Sequence, residues 1–108
     1  MSATTPKDCD TLLSTGRPPN VRALFPNSRA LIVSGKVVDR AMLAKGKCMT
    51  IAANGRNIFV IRGALKAAQR ANAAVILEIA KSESTYCPTT MFNLARRVDA
   101  IMNEYGIT

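Results

Sequence analysis

Four polar side chains near the carboxyl ends of two apolar runs are the ones in this sequence best placed to do chemistry. Asn54 closes the run 48–54, and Glu78, Lys81 and Ser82 fall in the second half of the run 74–82. An amide such as Asn54 can both donate hydrogen bonds to a ligand and accept them. The same residue type also caps helices or makes an Asx turn, here with Gly55. Glu78 could move a proton, or sit as an ion-paired or hydrogen-bonded core carboxylate. Lys81 could meet an anionic substrate or form a Schiff base, whereas a loop lysine is ordinarily solvated. Ser82 reads either as a substrate contact or, with Glu83 and Ser84, as part of a polar loop. The turn 54–57 offers backbone N–H groups and the Arg56 guanidinium to an anion, although Asn-Gly is also an ordinary turn. Cys87, followed by Pro88, is a free thiol with no visible base partner, and packing is its plainer role.

Metal chemistry has little to work with. Histidine is absent, and the three cysteines, Cys9, Cys48 and Cys87, are far apart with no Cys-x-x-Cys pair. No standard zinc cluster can be assembled from them, and no cofactor is expected in this chain. The first ten residues lack the apolar segment of a signal peptide, and no stretch is long enough to span a membrane. A cytoplasmic protein with reduced thiols is expected. The 15 Lys and Arg against 7 Asp and Glu give a formal charge of +8. These basic residues are scattered, and with only 5% aromatic residues stacking platforms are scarce. A small basic RNA-binding protein is therefore the second reading, and a solvated basic surface is the simpler account of the charge.

The elements that must position these residues are set by pattern. Residues 1–20 are rich in Ser, Thr and Pro and read as a flexible amino-terminal arm. Asn20 is a candidate cap for a short helical turn over 21–25, closed by Pro26. Residues 29–33 form a short apolar piece of open type. Ser34 is a candidate N-cap for a helix over 36–45 that Gly46 stops. Two repeats come next: strand 48–54 and helix 58–71, then strand 74–82 and helix 91–105 capped by Thr90. Strand, helix, strand, helix at this spacing is the repeat of a parallel α/β protein, in which ligands sit at the carboxyl ends of strands. In the first strand Thr50, Ala52 and Asn54 share one face and Met49, Ile51 and Ala53 the other. In the second, Ile76, Glu78, Ala80 and Ser82 oppose Val75, Leu77 and Ile79. A small or polar face towards the carboxyl end suits the lumen of a barrel better than a doubly wound sheet buried on both sides. The expected fold is therefore a partial (β/α) TIM barrel: residues 21–108 form its amino-terminal portion, a helix followed by the first two βα units, behind the arm 1–20. Ile51, Ala53, Leu77 and Ile79 should be buried against the helices. Parallel edges this apolar suggest a piece of something larger, or a self-assembling partial-barrel subunit.

Three stretches resemble the amino-terminal part of class II fructose-bisphosphate aldolases. They are Arg40-Ala41-Met42-Leu43-Ala44-Lys45-Gly46-Lys47, Ile51-Ala52-Ala53-Asn54, and Gly63-Ala64-Leu65-Lys66-Ala67-Ala68-Gln69-Arg70-Ala71-Asn72-Ala73-Ala74-Val75-Ile76-Leu77-Glu78. The resemblance covers about residues 36–108 and leaves the first 35 unexplained. It implies an aldehyde-lyase of carbohydrate metabolism (glycolysis and gluconeogenesis) that reversibly cleaves a ketose bisphosphate. In that family a divalent metal, usually zinc, stabilises the enediolate, and its His ligands and acid/base Asp come from later strands. This chain, lacking His, would then be an inactive amino-terminal fragment, partnered by a sugar-phosphate substrate and by the rest of the barrel or further copies of itself. Asn54 matches the family's Asn at the first strand tip, and Glu78 an inward Gln or Glu of the second strand. Two residues on, the family often has a substrate-contacting Ser where this sequence has Ala80, so that duty would pass to Lys81 or Ser82.

Overall fold

The computed structural model describes residues 6–107 as an α/β chain in two units, Met1–Met49 and Thr50–Thr108, each taken by itself. Among the described residues there are five α-helices and one two-stranded parallel sheet.

The first unit holds α1 (Pro6–Thr15), α2 (Pro19–Leu24) and α3 (Gly35–Lys45). Helix α1 corrects the expectation of irregular chain over residues 1–20; residues 1–5 of that segment lie outside the described ones. The Ser and Thr residues that argue against helix are absorbed at its end. Ser14 Oγ and Thr15 Oγ1 donate to the Thr11 carbonyl at 2.9 and 2.7 Å, satisfying their hydroxyls within the last turn. Helix α2 begins earlier than expected, with Pro18 rather than Asn20 at the cap. Pro19 stands in the first turn, where its missing N–H costs nothing and its fixed φ suits a helix. Ser34 caps α3 as expected, its Oγ accepting from Lys36 N, and Gly46 succeeds the last turn.

Arg17 organises the loop after α2. It is buried, and its terminal nitrogens donate to the carbonyls of Phe25 (3.0 Å), Ser28 and Ala30 (2.9 Å). Three backbone acceptors for one guanidinium pin residues 25–30 where no regular structure does. The unit has little other core: Val21 and Ala30 are buried, while α3 buries no residue and leaves Leu43 exposed.

The second unit is β1 (Ala52–Asn54), α4 (Ile58–Ala71), β2 (Ile76–Glu78) and α5 (Leu94–Tyr105). The strands pair in parallel, Ala52 beside Ile76, Ala53 beside Leu77 and Asn54 beside Glu78. They are shorter than the apolar runs that contain them, because a ladder exists only where both chains run side by side. The flanks still touch: Ile76 N donates to the Ile51 carbonyl at 3.0 Å and Thr50 Oγ1 to that of Ala74 at 2.9 Å. Helix α4 packs on β1 and α5 on α4. Ile61, Leu65, Val98, Ile101, Met102 and Ile107 are the buried apolar residues of this unit. Full burial of one such side chain, as at Ile61, is worth about 1.5–3 kcal/mol.

Helix α4 takes the expected bounds. Asn57 Oδ1 accepts from Phe59 N and Val60 N, both at 3.0 Å, and Asn72 ends the helix at φ +50°. Helix α5 starts three residues later than expected. Thr90 Oγ1 accepts from Phe92 N and Asn93 Oδ1 from Thr90 N, so the polar side chains close a turn before the helix begins. The face expected to be buried against the helices is corrected: Ile51 is 72% exposed, and Ala53, Leu77 and Ile79 are half-buried, since the two short strands offer the helices little sheet to cover.

Candidate functional site

The two strands end side by side, and the turn beyond each strand ties the ends together. After β1 the chain makes an Asx turn, with Asn54 Oδ1 accepting from Arg56 N at 2.8 Å. Between them Gly55 N donates to the Glu78 carbonyl at 2.6 Å. Gly55 is buried here, and a Cβ on it would lie 3.0 Å from Leu94 Cδ1 and 3.3 Å from the Glu78 carbonyl oxygen. A side chain there would require Leu94 and the Glu78 carbonyl to give by a few tenths of an ångström. After β2 the chain turns through Lys81 and Ser82 into a short 3-10 turn, Glu83–Thr85.

Glu83 is the hub. Its Oε1 accepts from Asn54 Nδ2 at 2.7 Å and from Ala80 N at 2.9 Å, and its Oε2 from Arg56 Nε at 2.7 Å. One carboxylate thus receives a side-chain amide from the end of β1, a guanidinium from the turn after it, and a backbone amide from the chain after β2. The backbone bond from Ala80 comes first, then those from Asn54 and Arg56, in lowering its pKa from 4.5 to about 2, so Glu83 is ionised at neutral pH. The reciprocal hydrogen bond from Glu83 raises the already high pKa of Arg56. The pair is lopsided in exposure: the Glu83 side chain is 5% exposed and that of Arg56 60%.

The structure places the four expected site residues unequally. Asn54 is half-buried, with one amide hydrogen on Glu83 and its Oδ1 accepting in the Asx turn; it does not cap α4, which Asn57 does. Glu78 is exposed and pairs with Asn54 in the ladder; among the described residues its carboxylate is not the ion-paired core group the sequence allowed. Lys81 and Ser82 are exposed in the turn beyond β2. Glu83 brings Asn54 and this turn to the same end of the sheet. Cys87 is a half-buried free thiol whose backbone N–H donates to the Glu83 carbonyl at 2.8 Å.

Glu83 itself is hidden in the sequence among polar loop residues. Its carboxylate reaches back to the Ala80 N–H, but with Ala rather than Ser or Thr at position 80 no capping-box pattern marks it in the sequence. Taking residues 74–82 as one strand conceals it.

Elsewhere in this unit, Tyr105 lies under two cations, Lys66 Nζ at 4.3 Å and the Arg62 guanidinium at 5.3 Å from its ring centre. That ring is already engaged by cation–π contacts and is a poor platform for a stacked base. In the first unit an open groove is lined by Asp10, Ser14, Arg17, Arg22, Ser28 and Arg29. Its cationic groups are committed: Arg22 to the Ser14 carbonyl at 2.8 Å, Arg29 to Asp10 at 2.8 Å and Arg17 to its three carbonyls. Among the described residues no three His, Cys, Asp or Glu side chains converge as metal ligands, and no helix is long and apolar enough to cross a membrane. No protein-family model, no curated protein and no solved structure matches this chain.

Proposed function

We propose that this chain forms the first two βα units of a ketose-bisphosphate aldolase-type barrel, acting in the cytoplasm, and that the ends of β1 and β2 bind a phosphorylated ketose. The observation that carries this reading is the joining of the two parallel strand ends by one buried carboxylate. It sets Asn54, Lys81 and Ser82 at the edge of the sheet where α/β enzymes bind their substrates. The exposed face agrees: Ala52 and Glu78 remain uncovered on the side that Asn54 shares, while α4 packs on β1.

The roles are set by the donors left over. Asn54 keeps one amide hydrogen and one carbonyl lone pair for a sugar hydroxyl or carbonyl. Lys81 supplies charge for a phosphate, Ser82 a hydroxyl, and Glu78 a carboxylate for a sugar hydroxyl. The divalent ion used by aldolases of this type does not fit residues 6–107, since histidine is absent from the sequence and no acidic or thiol trio converges among them. These residues therefore bind and orient substrate, and carbon–carbon cleavage is not assigned to them. Calorimetric titration with fructose 1,6-bisphosphate and with fructose tests the reading. Saturable heat with the bisphosphate alone is the expected result. Equal heats, or none with either sugar, would count against it.

A further inference from the structure

We infer that Arg56 is an anion-receiving residue and that, with Lys81 and Ser82, it takes the dianionic phosphate of a phosphomonoester at the joined strand ends. The inference deepens the proposed function and rests on its placement of the site.

Arg56 is anchored at its root and open at its tip. Glu83 engages the guanidinium through Nε alone, at 2.7 Å. The four terminal N–H groups have no acceptor among the described residues, and the side chain is 60% exposed. A structural arginine looks different, and this chain contains one: Arg17 is buried and spends its terminal nitrogens on three backbone carbonyls. Glu83 holds the Arg56 plane in place without using its fork. A planar fork with two parallel N–H groups matches two oxygens of a phosphate. Because Glu83 is itself held by Asn54 and Ala80, less side-chain freedom is lost when the fork closes on an anion.

The second arm is carried by the same carboxylate. Ala80, which donates to Glu83, is succeeded directly by Lys81 and Ser82, both exposed and neither bonded through its side chain to any described residue. One carboxylate therefore ties the Arg56 guanidinium of one strand end to the backbone that leads into Lys81 and Ser82 at the other. Arg56 and Lys81 are balanced in formal charge by Glu83 and Glu78, but Glu83 is buried and spends its oxygens on Asn54, Ala80 and Arg56, which leaves Glu78 as the exposed carboxylate at the strand ends. A phosphate needs more donors than a carboxylate does, and this cluster is made of donors.

The test is an NMR titration of the isotope-labelled chain with inorganic phosphate and then with fructose 1,6-bisphosphate, repeated on Arg56→Lys and Lys81→Ala. The expected result is saturable shifts at the Arg56 side chain and at residues 54–57 and 80–83. Arg56→Lys, which keeps the charge beside Glu83 but loses the fork, should weaken binding about tenfold. Lys81→Ala lies outside the Glu83 hydrogen bonds and should weaken it several-fold; it decides the matter if Arg56→Lys fails to fold. Phosphate shifts that are absent, or spread over all basic residues, overturn the inference, as does unchanged binding in the variants. If the bisphosphate binds unchanged in both variants, the ketose reading stands and the Arg56 assignment falls. If phosphate binding is lost in the variants but the ketose gives no gain over phosphate, Arg56 is right and the ketose is wrong.

Discussion

Glu83 shows how one residue can decide the geometry of a site without touching a ligand. A carboxylate removed from water is costly unless its lone pairs are met, and here three donors meet them. Its depressed pKa makes this contribution depend on pH. The folded-state pKa of about 2 lies below the ordinary 4.5, so the stabilisation is complete above pH 4.5 and is lost as pH falls towards 2. Thermal melts across that window should show a falling midpoint for the parent chain. Glu83→Gln should start lower at neutral pH and lose less on acidification, since its NH2 group turns a donor towards donors. Parallel losses in the two proteins would contradict the role given to Glu83. Asn54 is legible in the sequence as a strand-tip residue, and its Asx turn is one of the alternatives its chemistry allows. Glu83 is not legible, because its partners Asn54 and Arg56 lie 29 and 27 residues away and only folding brings them together.

At the scale of elements, helices are easier to read than strands. The apolar stripe Ile58, Ile61, Leu65 and Ala68 is a local signal, and α4 takes the bounds 58–71 expected from it, with Asn72 at its end supplied by the structure. Its start depends on Asn57, which satisfies two of the four unpaired N–H groups of the first turn. Asn57→Ala should cost about 1 kcal/mol in chemical denaturation, and Asn57→Asp should cost less because an anion suits a helix N-terminus. Equal stability of Asn57→Ala and the parent chain would show that packing of α4 on β1 alone fixes the helix start. Strand length is illegible for a physical reason. Residues 48–51 and 79–82 belong to the same runs as the paired ones, but a strand exists only where a neighbour accepts its hydrogen bonds. The helix over residues 6–15 is illegible for a related reason, since Ser and Thr near a helix end are satisfied by the helix itself.

At the scale of the whole molecule, the second unit exposes Ile51 (72%), Phe59 (71%), Tyr86 (70%) and Phe92 (88%), and its two-stranded sheet has unpaired edges. Exposed apolar side chains beside open strand edges favour association. Sedimentation equilibrium should therefore show a mass that rises with concentration, and a monomer at every concentration would mean these surfaces need no cover. The parallel α/β arrangement is legible in the alternation of apolar runs with helical stripes, whereas the division at Met49 is not. Composition changes little there, and α3 resembles a core helix in pattern while burying no residue. The central claim is that the joined strand ends form one site for a phosphorylated ketose. An NMR titration of the labelled chain with fructose 1,6-bisphosphate, using fructose as the control, tests it most directly. The account predicts saturable shifts at Asn54, Glu78, Lys81 and Ser82 with the bisphosphate and none with fructose. Shifts confined to residues 10–29, or no saturable shift at these four positions, would contradict it.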